Sequence, residues 1–524
     1  MSKINSLANG LQVLEIGPDD LRASARSLLA DGGRMIYATG VDKGVEGIRV
    51  DYYFGFDHLE PGRHTILRTF LDRENPVLKS VTTLTPQADW AEREMIEFLG
   101  VRAEEHPDPR HLWLPINWEQ MHTEVAPPEE KKPQSIHASD HITTMPVSTV
   151  PYGPYHPAFI ESNYFKMAVE DEIVRKADLK LGFNHRSIIK LMERRDYYKD
   201  IYLAERVCGL CNAHHAMSFC LAVENIAQVS VPKRADILRT LLCEMERIQS
   251  HLMAIGILGD LVGYKTMLMQ FLRIREDIQD CLELVSGQRV THGMVTLGGV
   301  RRDVSPAQSN FVNAKLASMK KGVQLLYDEM LSNDVLIGRL KNVGVLPPEE
   351  AVRLGAVGPT ARGSGRRLDV RKNTPYAFYE NLDWDIVTEN GCDSLARVEV
   401  KMREALVSIS IVEQCLEKLK TAPPEILTQL HELPCAEALG KTEPPRGELL
   451  YHVASNGTNT PEFVRIRVPT FMTAYIMLRL LHGSYVADVP AIMGSIDPCY
   501  SCTDRVTVHK DAKVIVKRKG DGTP

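Results

Sequence analysis

Two cysteine pairs with the same Cys-x-x-Cys spacing lie far apart in this sequence. Cys208 and Cys211 stand in the segment RVCGLCNAHH, whereas Cys499 and Cys502 stand in DPCYSC near the C-terminal end. Four thiolates with this spacing favour a metal site, and structural zinc is the simplest interpretation. Zinc ribbons, however, bring their two pairs together within a short stretch of chain. A site built from these two pairs must instead connect distant parts of one large domain.

Length and composition describe an ordinary globular chain of more than one domain. The 524 residues exceed what one compact core usually holds, which predicts at least two domains. Hydrophobic residues make up 44% and charged residues 25%, and the net charge of -6 gives no basic excess that would attract nucleic acid. The chain has ten cysteines, and its N-terminal segment does not resemble a signal peptide. Together these features indicate a reducing compartment. We therefore expect a cytoplasmic protein.

Two apolar stretches, 251–274 and 471–494, are the most membrane-like parts of the sequence. Asp260 and Lys265 interrupt the first stretch, and charged residues interrupt the second in the same way. Neither stretch can span a bilayer unaided. We expect both to form buried helices, and any attachment to a membrane to depend on other subunits.

Patterning divides the chain into two domains, a linker and a tail. Residues 1–122 combine helical segments with β-rich runs such as IRVDYYFGF and HTILRTFL, which is typical of a small α+β domain. Residues 123–145 are rich in proline and charge and lack periodicity, which indicates a linker. Residues 146–505 have a mainly helical pattern, and residues 506–524 form a basic C-terminal extension. The predicted fold class is α+β, a small α+β domain followed by a large mainly α-helical domain.

Three long segments supply the helices of the second domain. Residues 234–256 place their apolar side chains on one helical face, and residues 306–340 and 394–422 are long enough for core helices. We predict a helix bundle at the centre of this domain.

Charged side chains that suit a catalytic metal centre occur near recognisable motifs. Glu161 ends the segment GPYHPAFIE, Arg446 lies in EPPRGE, and Asp497 comes two residues before the second cysteine pair. Each of these residues alone is more often structural than catalytic. Four sulfur ligands also suit nickel or iron, and a reactive metal needs carboxylates and cations beside its thiolates. The combination therefore predicts a catalytic centre.

The two cysteine motifs resemble those of the large subunits of [NiFe]-hydrogenases. RVCGLCNAHH matches the family pattern Arg-x-Cys-Gly-x-Cys-x-x-x-His, with His215 at the histidine position, and DPCYSC matches Asp-Pro-Cys-x-x-Cys. GPTARGSGRRLDVR, PPRGELLYHVASNG and RIRVPTF resemble the membrane-associated group 4 of this family, whose large subunits are related to the 49-kDa quinone-site subunit of respiratory complex I. EREMIEFLGVRAEEHPDPRHL resembles the complex I 30-kDa subunit. Fusion of both parts is characteristic of formate hydrogenlyase and hydrogenase-4 large subunits.

This resemblance implies a cofactor of nickel and of iron that carries carbon monoxide and cyanide, NiFe(CO)(CN)2. It implies reversible heterolytic cleavage of H2, in the direction of proton reduction, with electrons from formate or a carrier. By motif position, Cys208 and Cys499 bind nickel terminally, and Cys211 and Cys502 bridge nickel to iron.

The resemblance also assigns residues around the metals. Glu161 matches the glutamate that exchanges protons with Cys499. Arg446 provides a fixed positive charge beside the open side of the metals, and Asp497 orients this arginine. His215 donates a hydrogen bond near the cofactor. Arg362 and Arg371 of the segment GPTARGSGRRLDVR are not assigned to the active site.

The six other cysteines lack Cys-x-x-Cys spacing, and we expect small core residues at positions 220, 243, 281, 392, 415 and 435. The chain then has no iron–sulfur ligand set, so its electrons must leave through partners. The implied partners are a hydrogenase small subunit with an iron–sulfur cluster, ferredoxin-like electron-transfer subunits, and membrane-integral subunits that hold the protein at the cytoplasmic side of the inner membrane. The resemblance further implies nickel-insertion chaperones and an endopeptidase that removes residues 506–524 during maturation.

Two alternatives remain at this point. The chain could be a complex I-like NADH/quinone oxidoreductase coupling subunit without an active NiFe site, or a scaffold stapled by zinc. Metal content distinguishes the three hypotheses, because nickel with iron supports the hydrogenase, zinc alone supports the scaffold, and the absence of metal supports the coupling subunit.

Overall fold

The computed structural model describes residues 11–114, 148–156 and 161–505, together with the backbone of an N-terminal strand at 3–6. The predicted linker 123–145 and the predicted tail 506–524 both lie outside the described residues.

The described part of the first domain contains seven strands and two α-helices. The strands are β1 (Lys3–Ser6), β2 (Leu11–Glu15), β3 (Arg34–Asp42), β4 (Ile48–Gly55), β5 (His64–Leu71), β6 (Val77–Lys79) and β7 (Arg102–Glu104). The helices are α1 (Leu21–Ala30) and α2 (Asp89–Leu99). Five strands form one sheet in the order β1-β2-β5-β4-β3, in which only the pair β2 and β5 is parallel. This is the α+β domain that the sequence predicts.

Helix α2 carries the start of the segment EREMIEFLGVRAEEHPDPRHL. Buried carboxylates on this helix fix it to the rest of the first domain. Glu92 accepts hydrogen bonds from the Tyr52 hydroxyl at 2.8 Å and from the backbone nitrogen of Val81 at 2.7 Å. Glu97 accepts from the backbone nitrogen of Trp113 at 3.0 Å. A buried carboxylate is stable only with such partners. These motif residues therefore hold the first domain together.

The second domain begins with a three-stranded antiparallel sheet and continues mainly as helices. The strands are β8 (Ser148–Tyr152), β9 (Tyr164–Glu170), β10 (Ile173–Lys180), β11 (Val295–Thr296), β12 (Gly299–Val300), β13 (Cys435–Thr442), β14 (Leu449–Asn456) and β15 (Pro461–Arg467). The helices are α3 (Ile188–Met192), α4 (Tyr197–Glu205), α5 (Asn212–Ala227), α6 (Lys233–Leu261), α7 (Lys265–Ser286), α8 (Pro306–Ser332), α9 (Asp334–Leu340), α10 (Pro348–Arg353), α11 (Gly358–Arg362), α12 (Val370–Asn373), α13 (Ser394–Leu419), α14 (Pro469–Leu481), α15 (Val489–Ile496) and α16 (Tyr500–Thr503).

Long helices form the predicted bundle around α6, which packs against α7, α13 and α15. The predicted helix 306–340 is interrupted, because the Asn333 backbone is extended and its side chain caps α9 by accepting a hydrogen bond from the backbone nitrogen of Leu336 at 3.0 Å. Among the helices of the described chain, none is long and apolar enough to cross a membrane.

Two of the cysteines expected in the core lie elsewhere. Cys435 begins β13 and is exposed, and Cys392 is only partly buried. Cys435 pairs with Asn456 at the open end of a hairpin, and Cys392 lies in a turn with a positive φ of 60°. The expectation of small core residues was therefore wrong for these two positions, whereas the other four lie in the core.

The two domains share a buried interface rich in charge. Strand β4 is buried along its whole length, because β13 and β14 of the second domain cover the face that α2 leaves open. At the edge of this contact, Arg34 donates to Glu448 at 2.6 Å, and Lys441 donates to Asp57 at 2.7 Å. All four side chains are buried. The interface therefore depends on charges from both domains that compensate each other.

Removal of one interface charge tests this dependence. We expect Glu448→Ala to lower the free energy of unfolding by about 3–5 kcal/mol, because the buried Arg34 and Lys441 would lose a shared carboxylate and keep only Asp57. Equilibrium unfolding in urea measures the change. Glu60→Ala breaks an exposed ion pair with Arg63 and is the matched control with little expected effect. Equal losses in both variants would show that the interface charges do not hold the domains together.

Candidate metal centre

The fold brings the sulfur atoms of all four motif cysteines together. Sγ of Cys499 lies 3.0 Å from Sγ of Cys502 and 3.5 Å from Sγ of Cys208. The ligand atoms of Cys208, Cys211 and Cys502 all lie within 4.8 Å of one another. None of the four residues is more than 3% exposed. Two segments from distant parts of the chain thus form one buried cluster of thiols.

Helix ends position these cysteines. Cys211 directly precedes α5, and Cys499 directly precedes α16. The backbone nitrogen of Cys499 donates to the Thr470 hydroxyl in α14 at 2.9 Å. Asp497 ends α15 in the left-handed conformation, with φ 60°, which aspartate tolerates better than most residues. This turn directs the chain back toward the first cysteine pair.

Burial and hydrogen bonds among the four thiols shift their pKa values in different directions. Donation from Cys211, followed by that from Cys499 and Cys502, holds the pKa of Cys208 well below its usual range. The pKa of Cys211 and of Cys499 is raised, first because each donates to Cys208. Burial is the main reason why the pKa of Cys502 is raised. One thiolate stabilised by three thiols is a donor set from which a metal cation can displace protons.

Glu161 lies beside the second cysteine pair. Its Oε1 is 3.7 Å from Sγ of Cys499, and its Oε2 accepts a hydrogen bond from the backbone nitrogen of Ser501 at 2.8 Å. Burial, followed by the charge of Cys208, raises the pKa of Glu161 despite the opposing effects of Ser501 and Arg446. A carboxyl group in this environment can hold a proton next to a thiol.

Arg446 is the buried cation of the site. Its Nη2 donates to Oδ1 of Asp497 at 2.8 Å, its Nε donates to the Asp497 carbonyl at 2.8 Å, and its Nη1 donates to the Ser250 hydroxyl at 3.1 Å. Although burial opposes the charge, Asp497 and then Cys499 raise the pKa of Arg446. The guanidinium group is therefore charged and held in one orientation.

The two histidines that follow the first cysteine pair have different surroundings. Nε2 of His215 lies 3.6 Å from Sγ of Cys502, and its Nδ1 lies 2.8 Å from the Tyr451 hydroxyl. Burial lowers the pKa of His215 to about 4, so this ring is neutral at physiological pH. His214 instead contacts Glu246, with its Nδ1 2.6 Å from Oε2 of that carboxylate.

The donor set fits a reactive soft metal better than a structural zinc ion with four protein ligands. Four thiolate sulfurs can satisfy zinc completely, and a structural zinc site needs nothing further. Here a carboxyl group and a buried cation adjoin the cysteines as well. Nickel and iron accept the same soft ligands, and these additional groups suit a site that also handles protons.

Arg362 and Arg371 lie outside this centre, in a buried ionic cluster. Arg362 donates to Glu443 at 2.7 Å and to Glu404, and Arg371 donates to Glu244 at 3.0 Å. Sequence reasoning does not identify these partners, or the contacts of Ser250, Thr470 and Tyr451 at the centre itself. Glu443, Tyr451 and Thr470 lie within the quoted motif segments, but those motifs do not say which side chains they contact. Only the tertiary fold brings the contacting side chains together.

Three protein families match successive parts of the chain. The family of the respiratory-chain NADH dehydrogenase 30 Kd subunit matches residues 14–131. The nickel-dependent hydrogenase family matches residues 186–258. The family of the respiratory-chain NADH dehydrogenase 49 Kd subunit matches residues 261–431 and 425–505.

Curated relatives cover one or both parts. The carbon monoxide-induced hydrogenase of Rhodospirillum rubrum is 37% identical over 365 residues, which are 69% of this chain and 100% of that protein. Formate hydrogenlyase subunit 5 of Escherichia coli is 32% identical over 464 residues, which are 86% of this chain and 81% of that protein. The chain belongs to the family of group 4 [NiFe]-hydrogenase large subunits with a fused complex I 30-kDa-like domain.

A solved structure supports the fold of this large subunit. A chain in the structure of the membrane-bound sulfane sulfur reductase, an archaeal respiratory membrane complex, is 31% identical with a TM-score of 0.65 and covers 68% of this chain and 98% of that chain. The fused large subunit is accordingly an oxidoreductase of hydrogenase or complex I type.

Nickel content tests the assignment of the cysteines as ligands. We expect Cys208→Ser and Cys499→Ser, produced in nickel-containing medium, to lose at least about nine tenths of the bound nickel, because a mostly protonated hydroxyl is a poor ligand for a soft metal. Mass spectrometry of the purified full-length protein measures the metal. Cys435→Ser changes an exposed cysteine and serves as the control. Wild-type nickel content in either site variant would contradict the assignment.

Proposed function

We propose that this chain is the catalytic subunit of a multisubunit, membrane-associated [NiFe]-hydrogenase that reduces protons to H2 and can cleave H2 heterolytically. The convergence of four buried cysteines from two distant motifs beside Glu161 is the observation that carries this proposal. The similarity to hydrogenases across both domains supports it.

Cys208, Cys211, Cys499 and Cys502 would together hold the NiFe(CO)(CN)2 centre. When bound, this centre would supply the position at which H2 is formed or cleaved and would pass electrons between that position and the partner subunits. The chain contributes soft, deprotonated sulfur ligands in a site from which bulk water is largely excluded.

Glu161 would hold and transfer the proton. Sγ of Cys499 lies 3.7 Å from Oε1 of Glu161, so a proton on this sulfur is within reach of the carboxylate after at most a small side-chain movement. The raised pKa of Glu161 means that its carboxyl group holds a proton more readily than an exposed glutamate does, as a proton carrier requires. The hydrogen bond from the backbone of Ser501 keeps the carboxyl group in position.

Arg446 and His215 would stabilise the charge of the ligands. Arg446 places a fixed positive charge in a buried region next to thiolates, where electrostatic interactions are strong, and Asp497 keeps its guanidinium group oriented. If Nδ1 of neutral His215 accepts from the Tyr451 hydroxyl, Nε2 carries the hydrogen and donates to Sγ of Cys502.

The electrons would come from formate or a carrier through partner subunits. We infer an iron–sulfur small subunit, ferredoxin-like subunits and membrane-integral subunits, with the complex at the cytoplasmic side of the inner membrane. The names of the relatives, a formate hydrogenlyase subunit and a subunit of a respiratory membrane complex, support such partners. Maturation would involve nickel-insertion chaperones and removal of residues 506–524 by an endopeptidase.

A complex I-like coupling subunit is the second candidate function. The matches to the 30 Kd and 49 Kd subunits favour it, and the solved relative named as a sulfane sulfur reductase shows that this fold also occurs in a complex named for another reaction. A subunit of that kind needs no nickel.

Spectroscopy of the native complex distinguishes these functions. We expect the complex purified from its own membranes to contain nickel and to show infrared bands of iron-bound carbon monoxide and cyanide. It should also evolve H2 from a reduced low-potential dye. A complex that reduces quinone, lacks nickel and lacks these bands would contradict the hydrogenase and support the second candidate.

Glu161→Gln tests the proton pathway. The amide retains the shape of the side chain but cannot carry the proton, so we expect hydrogen–deuterium exchange between H2 and deuterated water to fall by about 100-fold or more. Nickel content should stay at the wild-type level. Glu425→Gln, at an exposed position, is the control. Exchange at the wild-type rate in Glu161→Gln would exclude this residue as the proton carrier.

A further inference from the structure

A short loop between β10 and α3, residues 182–186, lies against both cysteine segments, and we call it the latch loop. Gly182 begins this loop with φ +100°, a conformation that favours glycine. A Cβ atom at this position would lie 3.1 Å from the carbonyl oxygen of Trp113. The loop therefore packs closely against the backbone of Trp113 on that side.

Arg186 connects the two cysteine segments at the end of the latch loop. Its Nη1 donates to the carbonyl of Arg206 at 2.6 Å, and its Nη2 donates to the carbonyls of Val207 and Ser501, each at 3.0 Å. Arg206 and Val207 directly precede Cys208, whereas Ser501 lies between Cys499 and Cys502. One guanidinium group therefore spans both halves of the cluster.

The start of the latch loop binds the end of the C-terminal cysteine segment. The Asp504 carboxylate accepts hydrogen bonds from the backbone nitrogens of Gly182 and Asn184, each at 2.9 Å, and from Nδ2 of Asn184 at 3.3 Å. The same Nδ2 donates to the carbonyl of Ser162, next to Glu161, at 2.7 Å. Asp504 is buried, so its carboxylate depends on these donors.

We propose that the latch loop closes the metal centre by fixing the C-terminal cysteine segment over the N-terminal one, and that Arg186 and Asp504 are its positioning residues. The planar fork of arginine can reach carbonyl groups of two segments at once, which the single ammonium group of lysine cannot do with the same geometry. The proposal rests on the proposed function only in treating the four thiols as the metal ligands.

Thiol reactivity in the metal-free, full-length chain tests the latch. We expect Arg186→Gln to raise the rate at which iodoacetamide alkylates Cys499 and Cys502 by about tenfold, because the loss of one or two hydrogen bonds makes local opening more frequent. Peptide mass spectrometry after timed pulses gives the rate at each cysteine. Arg194→Gln, a nearby exposed arginine, should leave these rates unchanged.

Two further cysteines serve as internal references in the same experiment. Cys435 is exposed and should react rapidly in every variant, whereas Cys243 is buried and reports global unfolding. A selective increase at Cys499 and Cys502 supports the latch. Unchanged rates, or an equal increase at Cys243, would overturn it.

Asp504→Asn provides an independent variant that acts at the other end of the loop. It replaces one acceptor oxygen by an amide donor facing a backbone N–H group, so we expect the same selective increase in alkylation. In the nickel-loaded complex, both variants should lose nickel to a chelator about tenfold faster than the wild type. Nickel loss at the wild-type rate in both variants would contradict the latch. If the wild-type complex contains no nickel, the hydrogenase proposal fails, and the alkylation rates still decide the role of the loop.

Discussion

Four thiols and an arginine buried in one place set the condition that the rest of the fold satisfies. Charged sulfur is costly to remove from water unless a cation or a metal compensates it, and Arg446 is itself costly to bury without Asp497. Both groups must therefore arrive together. The long helix α6 contributes Ser250 to Arg446, and α14 contributes Thr470 to the backbone of Cys499. The bundle acts as a rigid support for a site that is made from helix ends and turns.

The buried ionic cluster of Arg362 and Arg371 extends this support. It links the short helices α11 and α12, in the segment GPTARGSGRRLDVR, to Glu244 on α6 and Glu404 on α13. Glu443, three residues before Arg446, belongs to the same cluster. A different packing of these helices would leave at least one buried charge without a partner. An unpaired buried charge strongly destabilises the folded protein, so such a packing is disfavoured. The cluster thus fixes the position of the turn that carries Arg446.

The sequence predicted those parts of the site and fold that leave a local signature. The four cysteines, Glu161 and Arg446 stand in short motifs, and the core helices show their apolar period, so both could be found without coordinates. The break at Asn333 depends on a side-chain cap within an otherwise helical run. The partners of the site, such as Ser250 and Arg186, come from segments without a motif. Their roles exist only after distant segments have packed.

The interface between the domains gives a physical reason for their fusion in one chain. Glu448, Lys441 and Arg467 of the second domain are all buried at the contact, where Arg34, Asp57 and the backbone of Ile36 supply their partners. The last described residue, Arg505, lies close to the first domain as well, through Tyr37 and Glu94 at 3.3 Å each. A separate first subunit would have to bind before these charges were compensated. A covalent link instead supplies the first domain at a high effective concentration during folding. The segment that carries Cys499 and Cys502 can then pack against a first domain that is already in place.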